Sequence, residues 1–366
     1  MRIFIAFIFL WSCTNNELEI KDLSIAQRNL LEQIPKHIVI AHRGTTFYAP
    51  EETEAAMIWA RNIGAHYLEF DLQRTKDGYL VALHDNNLER TSNVKEIFPE
   101  RAKAALSQFT YRELLQLNFG KWFNDLYPQR AQKIYEWQDI LTLEDIIQIA
   151  EGNKISKDKN GHKKTVVNEV GKIETIYESD PSDTKNRPGI YIETKVPEQF
   201  PEIEKDLKKE LQRLKWFGDL KTIKVYENKI DIANTNMRII LQTFSKKSLT
   251  LLHQTFGDKA PLCFLLWQGN ESTDDLPNNN PETFVKWLNY GIENGATIIG
   301  PSIDGAPNNY PNLLTSQNLE LLIKSNLHIH PYSFDTKEQI STYGKGVQGL
   351  FSNKSDEALK IWKVAK

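Results

Sequence analysis

An α/β chain wound as a TIM (β/α)8 barrel, with a large insertion after strand 2, is the fold this sequence predicts, on three observations. Eight short apolar, strand-like runs are spread over residues 37–352. Helical apolar patterns lie between most of them, and repeated strand–helix units imply parallel sheet. Setting aside an atypical segment at about 86–187 leaves roughly 230 residues, close to the ~250 of a typical barrel of this type. A doubly wound open sheet is the alternative. The chain has 366 residues, 40% of them apolar and 25% charged, an ordinary globular composition. The net charge of -3 implies no general attraction to nucleic acid, so an anion site must come from local placement.

The N-terminus differs from the rest. Arg2 precedes an unbroken apolar run, Ile3 to Trp11, far below the ~20 residues needed to span a bilayer as a helix. Residues 1–12 have the layout of a signal peptide. The ending Leu10-Trp11-Ser12-Cys13 resembles a bacterial lipobox, with Cys13 as the lipidated residue; Trp11 is bulkier than is usual there. This implies an exported, membrane-anchored lipoprotein facing the periplasm or cell surface. Residues 13–36 read as a polar tether and a short helix, "LSIAQRNLLEQI". Cys263, in "APLCFLLW", reads as a small core residue without a disulfide partner.

The barrel then occupies 37–366. Its strands are expected at His37–Ala41, Tyr67–Leu72, Ile190–Glu193, Arg238–Thr243, Leu262–Trp267, Ala296–Gly300, Leu327–Pro331 and Gly346–Ser352. Helices are expected at Thr53–Ile63, Phe200–Trp216, Ser245–Thr255, Pro281–Asn289, Ser316–Ser325 and Ser355–Val364. Asp77-Gly78 is a hairpin signal, so Leu80–His84 reads as a return arm that brings His84 back toward the barrel mouth. Residues 152–187, rich in Lys, Asn, Asp and Gly, read as the loosely ordered half of the insertion.

In parallel barrels the chemistry sits at the C-terminal ends of the strands. Strand one ends in His42-Arg43, strand two reads Tyr67-Leu68-Glu69-Phe70-Asp71, and strand three carries Glu193-Thr194-Lys195. Residues two apart on a strand share a face, with Cα atoms about 6.6 Å apart. Glu69, Asp71 and Glu193 can therefore converge. Two carboxylates ~4 Å apart repel by roughly 4 kcal/mol at an effective dielectric near 20. Such a cluster requires a cation, bound protons or large pKa shifts, and hard oxygen ligands favour Mg²⁺ or Ca²⁺ over zinc. Arg43 and Lys195 can grip a phosphate, and His42 and His84 can serve as acid and base. Singly, an E-x-D pair or one histidine is more often a solvated or structural feature. Together, along one rim, the residues describe a phosphodiester cleavage site.

The ordered motifs "HRG", "PEET", "EFDLQRTKDGYLVALHD" and "IETK" resemble the glycerophosphodiester phosphodiesterase family. "LHDNNLERTSNV", "LTLEDIIQIAEG" and "HPYSFD" are similar to its exported branch with a long insertion after H-D. The resemblance covers roughly residues 36–360. It implies His42 and His84 as the general acid/base pair, and Glu69, Asp71 and Glu193 as ligands of one divalent cation, Ca²⁺ or Mg²⁺. It implies Arg43 and Lys195 as phosphate ligands. The implied substrates are small glycerophosphodiesters such as glycerophosphocholine and glycerophosphoethanolamine, giving sn-glycerol 3-phosphate and an alcohol.

Three positions depart from the family pattern. Glu52 replaces the asparagine of P-E-N-T and is expected to raise the His42 pKa if the two are close. Gln348 and Asn353 stand where aspartates are frequent, outside the metal set. Trp122, Phe123, Tyr332 and Phe334 are candidates for packing on glycerol or on an alcohol head group, each also readable as core. The alternative functions are phospholipase C- or D-type cleavage of lysophospholipids and a surface-binding lipoprotein without turnover.

Overall fold

The computed structural model describes residues 18–268 and 280–364. Eight parallel strands build the barrel: β1 (Ile38–Ala41), β2 (Tyr67–Arg74), β3 (Gly189–Thr194), β4 (Ile239–Thr243), β5 (Leu262–Leu266), β6 (Ile298–Pro301), β7 (His328–Ile329) and β8 (Gly349–Ser352). Neighbours in sequence are neighbours in space from β1 to β7, and β8 pairs with β1. The seam beside the short β7 is closed by Gln348 N–H donating to Ile329 O (3.0 Å) and Phe351 N–H donating to Pro331 O (3.1 Å). The sheet thus closes on itself, as an open doubly wound sheet does not. All residues of β1, β4, β5, β6 and β8 are buried. Parallel strands covered on both faces read as continuous apolar runs for this reason.

Eight helices form the outer ring: α1 (Glu54–Ile63), α2 (Leu143–Ala150), α3 (Ile203–Arg213), α4 (Lys246–Phe256), α5 (Pro281–Glu293), α6 (Ser316–Ser325), α7 (Lys337–Tyr343) and α8 (Ser355–Val364). Most start on a side-chain cap: Thr53, Thr142, Ser245, Asn280, Thr315 and Thr336 each accept a backbone N–H of the first turn. None of the described helices is long and apolar enough to cross a membrane. A further helix, Ile25–Gln33, precedes the barrel and begins on a Ser24–Gln27 capping box. Gln27 Nε2 donates to Ile292 O (3.0 Å) and Ala296 O (2.8 Å), which docks this helix beside the start of β6, at the N-terminal end of the barrel. Cys263 is buried in β5, and Cys13 lies outside the described residues.

The hairpin after β2 is present. Leu80–Ala82 pairs antiparallel with Leu72–Arg74, and Gly78 takes the left-handed conformation (φ 89°) that the turn requires. Leu83 N–H donates to Asp71 O (2.9 Å), so the chain re-enters the barrel mouth just before His84.

The segment between this arm and β3 carries the crossover helix α2 as well as extra structure. Residues 152–187 are more ordered than their composition implies. They form two antiparallel ribbons, Asn153–Ile155 with Tyr177–Ser179 and Thr165–Val167 with Ile173–Thr175. The Lys-rich reading failed because Lys163 is not a solvated charge. Its buried Nζ lies 2.6 Å from Asp145 Oδ2 and donates to Ile140 O (2.6 Å) and Tyr111 Oη (3.1 Å). Arg61 of α1, also fully buried, donates to Ile149 O (2.9 Å) and Asn153 O (3.2 Å) and pairs with Asp180, tying the insertion to the ring. Removing one partner of a buried pair strands the other charge, at about 3–5 kcal/mol. Lys163→Ala is expected to lower unfolding stability by that amount in a denaturant titration; a loss under about 1 kcal/mol would show that Asp145 is readily solvated or protonated.

Candidate active site

The site follows from strand register. β2 and β3 pair with Glu69 opposite Tyr191 and Asp71 opposite Glu193, and β3 pairs with β4 with Glu193 opposite Gln242. Paired strands lie about 4.8 Å apart, so side chains of one row that share a face touch. Below this row Tyr67 and Tyr191 plug the barrel, ring centroids 5.8 Å apart. Above it the carboxylates open into a cavity of about 910 Å³. One oxygen from each of Glu69, Asp71 and Glu193 lies within 4.8 Å of the other two.

All seven residues expected at the site meet here. His42, Arg43, Glu69, His84, Glu193 and Lys195 line the cavity. Asp71 lies beneath them, its Oδ2 3.2 Å from Arg43 Nε and its Oδ1 3.6 Å from Lys195 Nζ. Lys195 also pairs with Glu193 Oε1 at 3.1 Å. Arg43 sits at φ 48°, ψ 35°, in a tight turn that aims its backbone N–H at Glu69 Oε2 (2.7 Å). The turn needs Gly44 next: at φ 78° a Cβ there would lie 2.9 Å from Ala56 Cβ.

Burial and mutual repulsion govern these carboxyls. Burial and the Asp71 charge push Glu69 well above the usual range. Burial moves Glu193 up to about 7, against the pull of Lys195. Asp71 is the exception: Lys195, His84 and Arg43 outweigh its burial and hold it down. The cluster therefore carries more acid than its two cations neutralise. Three hard oxygen donors that resist ionising together fit a divalent cation.

The histidines have different partners. His42 Nδ1 lies 2.7 Å from Asn353 Oδ1. The Asn353 amide is oriented by Asp335, which accepts its Nδ2–H (2.9 Å) and its backbone N–H (3.0 Å). Its oxygen must then face His42, which places the hydrogen on Nδ1 and leaves Nε2 for the cavity. Burial, then the Arg43 charge, lower His42 to about 3. Asn353, read as lying outside the metal set, is thus the partner that fixes a histidine. His84 Nδ1 lies 2.7 Å from the carboxylate of Asp85. Arg90 bridges Asp85 (Nε to Oδ2, 2.6 Å) and Glu51 (Nη2 to Oε1, 2.6 Å). Gln73, on the same face of β2 as Asp71, donates to both Leu83 O (2.7 Å) and Asp85 O (2.8 Å) and so brackets His84. Burial, then Arg43, lower the His84 pKa as well.

Glu52 does not act on His42 as expected. It is buried behind β2, accepts Asp71 N–H through Oε1 (2.8 Å), and burial and the Asp71 charge push its carboxyl well above the usual range. Of the aromatic candidates only Tyr332 lines the cavity. Phe123 and Phe334 are core, and Trp122 packs on Phe123 under Arg90. Sequence reasoning missed Gln242, whose Nε2 donates to Glu69 Oε1 (2.8 Å), together with Gln73, Asp85 and Arg90, and the wall residues Trp267 and Tyr310. Gln242 lies next to the C-terminal end of a predicted strand, which was the available signal; the others are read only from contacts.

The Asn353 contact predicts a pH effect. A carboxylate on Nδ1–H stabilises the imidazolium, so Asn353→Asp raises the His42 pKa by about one to three units. The neutral base is then lost at higher pH, and the acid limb of the kcat–pH profile should shift upward. An unmoved limb would show that His42 does not control it.

Known proteins share the sequence pattern and the fold of this chain. The sequence profile of the glycerophosphoryl diester phosphodiesterase family matches residues 42–357. The chain is 25% identical over 342 residues to the glycerophosphodiester phosphodiesterase of Bacillus subtilis, covering 93% of this chain and 92% of that one. A crystal structure described as a putative glycerophosphoryl diester phosphodiesterase from Silicibacter pomeroyi superposes with a TM-score of 0.61 at 15% identity, over 93% of this chain and 98% of the other. An Oleispira antarctica phosphodiesterase in complex with the product sn-glycerol-3-phosphate superposes with a TM-score of 0.56 at 15% identity, over 90% and 97%. With its profile match running from His42 through the last barrel strand, the chain belongs to the glycerophosphoryl diester phosphodiesterase family.

Proposed function

We propose that this chain hydrolyses small glycerophosphodiesters to sn-glycerol 3-phosphate and an alcohol, using one divalent cation, Ca²⁺ or Mg²⁺. The observation that carries this reading is the set of three carboxylates under an Arg–Lys clamp, with a histidine at each side whose Nδ1 is already engaged by the protein. Glu69, Asp71 and Glu193 would hold the cation, which when bound polarises a phosphoryl oxygen and neutralises its charge. Arg43 and Lys195 orient the phosphate from above the carboxylates.

The two histidines divide the proton work by their partners. His42, backed by a neutral amide, favours the free base, and its Nε2 takes the proton from the attacking hydroxyl. His84, backed by the Asp85 carboxylate, is the better stabilised imidazolium and gives its proton to the departing oxygen as the P–O bond breaks. The attacking oxygen is that of water or of the substrate's own glycerol hydroxyl.

The test is release of glycerol 3-phosphate from glycerophosphocholine, with lysophosphatidylcholine as the competing substrate. Hydrolysis of the former in the presence of Ca²⁺ or Mg²⁺ is expected. Turnover of lysophosphatidylcholine alone would assign a phospholipase, and turnover of neither would overturn the reading.

For location, we propose export and anchoring through a lipid on Cys13, supported by the lipobox-like Leu10–Cys13 and the apolar run before it. Radioactive palmitate incorporation that persists in Cys13→Ser would refute it.

A further inference from the structure

The site occupies the C-terminal ends of the strands, and the loops that enter the strands form the opposite, N-terminal face of the barrel. Six exposed lysines stand on these entering loops: Lys36 before β1, Lys185 before β3, Lys224 and Lys229 before β4, Lys259 before β5 and Lys345 before β8. None of the six forms an ion pair among the described residues. Lys215 and Lys221, also before β4, are already paired, with Asp219 and Glu151. Exposed acids are fewer on these loops. Asp219 faces Lys215 and Asp258 faces His253, which leaves Glu227. The segment before β1 is nearly balanced, with Glu19, Asp22 and Glu32 against Lys21 and Arg28. The chain as a whole carries -3, so the positive excess is local to this face. Apolar groups lie among the lysines. Val225 is 49% exposed, and the half-buried Tyr226 ring has Lys185 Nζ 4.9 Å and Lys224 Nζ 5.2 Å from its centre. Ile323, 56% exposed, shares with Lys36 the lining of a second cavity, of about 460 Å³.

The described chain also begins at this face. Asn289, near the end of α5, accepts Lys21 N–H through Oδ1 (2.8 Å) and donates from Nδ2 to Glu19 O (3.0 Å). Because α5 follows β5, its C-terminal end lies level with the entering loops. Cys13 precedes Leu18 by five residues, at most about 18 Å of extended chain. Resting on the Cys13 anchoring above, we propose that the N-terminal face of the barrel lies against an anionic bilayer. Its lysines meet lipid phosphates, and Val225, Tyr226 and Ile323 sit at head-group level, where amphipathic rings are favoured. Each ammonium close to an anionic surface strengthens binding by about fivefold. The mouth of the barrel then opens toward water, where diesters already freed of their acyl chains are dissolved.

The experiment measures binding of the full chain to vesicles of phosphatidylcholine, with and without about one third phosphatidylglycerol. Wild type is compared with Lys185→Gln/Lys224→Gln/Lys229→Gln and with Lys76→Gln/Lys103→Gln/Lys133→Gln. The second variant removes the same charge from exposed positions on the arm after β2 and the insertion. Wild type should prefer the anionic vesicles by about a hundredfold or more, and lose the preference in about 0.5 M salt, where the Debye length is about 4 Å. The first variant should lose most of the preference and the second should keep it. An equal preference in wild type and the first variant, or equal losses in both variants, overturns the proposal. Orientation is read without altering charge. In Cys13→Ser protein, whose remaining Cys263 is buried, a fluorophore is placed on Val225→Cys or on Leu126→Cys. Leu126 is 61% exposed in the insertion, where Arg130 packs on Phe47 of the loop after β1, at the mouth end. Nitroxide-labelled lipid head groups should quench the label at 225 and spare the one at 126; equal quenching, or the reverse order, overturns the proposal. This measurement lacks the lipid anchor. Docking by the N-terminal face without palmitate on wild-type Cys13 would refute the anchor and leave the face standing. Palmitate incorporation with quenching at 126 would do the reverse.

Discussion

His42→Ala and His84→Ala are each expected to lower kcat for glycerophosphocholine by about 10²–10⁴-fold while the barrel remains folded. Both side chains are partly exposed at the cavity, and each contributes one side-chain hydrogen bond to the fold, His42 to Asn353 and His84 to Asp85. Loss of such a bond costs only about 1 kcal/mol. A large fall in turnover with a nearly unchanged unfolding midpoint is therefore the signature of a proton-transfer role. Rates like wild type in either variant would sink the acid/base assignment. A matched fall in stability would make the residue structural. The partners make the two losses distinguishable. His42→Ala removes the group that works as neutral base, so its residual activity should rise with pH as hydroxide substitutes. His84→Ala removes the acid, so its loss should be smaller for a diester whose alcohol is a better leaving group.

The second large effect concerns the acidic cluster. Exhaustive chelation with EDTA should abolish turnover, and Ca²⁺ or Mg²⁺ should restore it. Asp71→Asn should lower kcat by about 10²–10³-fold, because Asp71 both faces the cluster and anchors Arg43 and Lys195. A readout besides activity comes from stability. A ligand that binds only the folded chain stabilises it by RT ln(1 + [L]/Kd), about 2.7 kcal/mol at a hundred times Kd. Wild type should thus melt at higher temperature as Ca²⁺ or Mg²⁺ is added, and Asp71→Asn should not. Full activity after chelation, or an equal shift in both proteins, would refute the metal proposal. Glu69→Gln should show the same loss of cation response, since its carboxylate is pushed up by burial and by Asp71 and gains most from a neighbouring cation.

Much of this was legible in the chain itself. The barrel strands stood out because a parallel strand buried on both faces must be apolar throughout, as Ile38–Ala41 and Leu262–Leu266 are. Charged residues inside such runs are therefore conspicuous. The period of two then assigns Glu69 with Asp71, and Glu193 with Lys195, to shared faces. Asp77-Gly78 announced the hairpin that returns His84, because few residues other than glycine take φ 89° without cost.

What only the tertiary structure decided were relations between segments with no sequence period to connect them. Strand register set Asp71 beside Glu193 and brought in Gln242, and a one-residue slip would have turned each to the other face. Closure of the barrel carried Asn353 some three hundred residues along the chain to His42. Charge state also escaped the sequence. Glu52 and Lys163 look alike as surface charges, yet burial and Asp71 push the Glu52 carboxyl up toward its neutral form, while Asp145 holds the Lys163 ammonium toward its charged form inside the insertion. The sequence by itself determined which groups this protein carries and on which strands; the folded chain decided their partners and hence their protonation, because desolvation and pairing depend on distance in space and not along the chain.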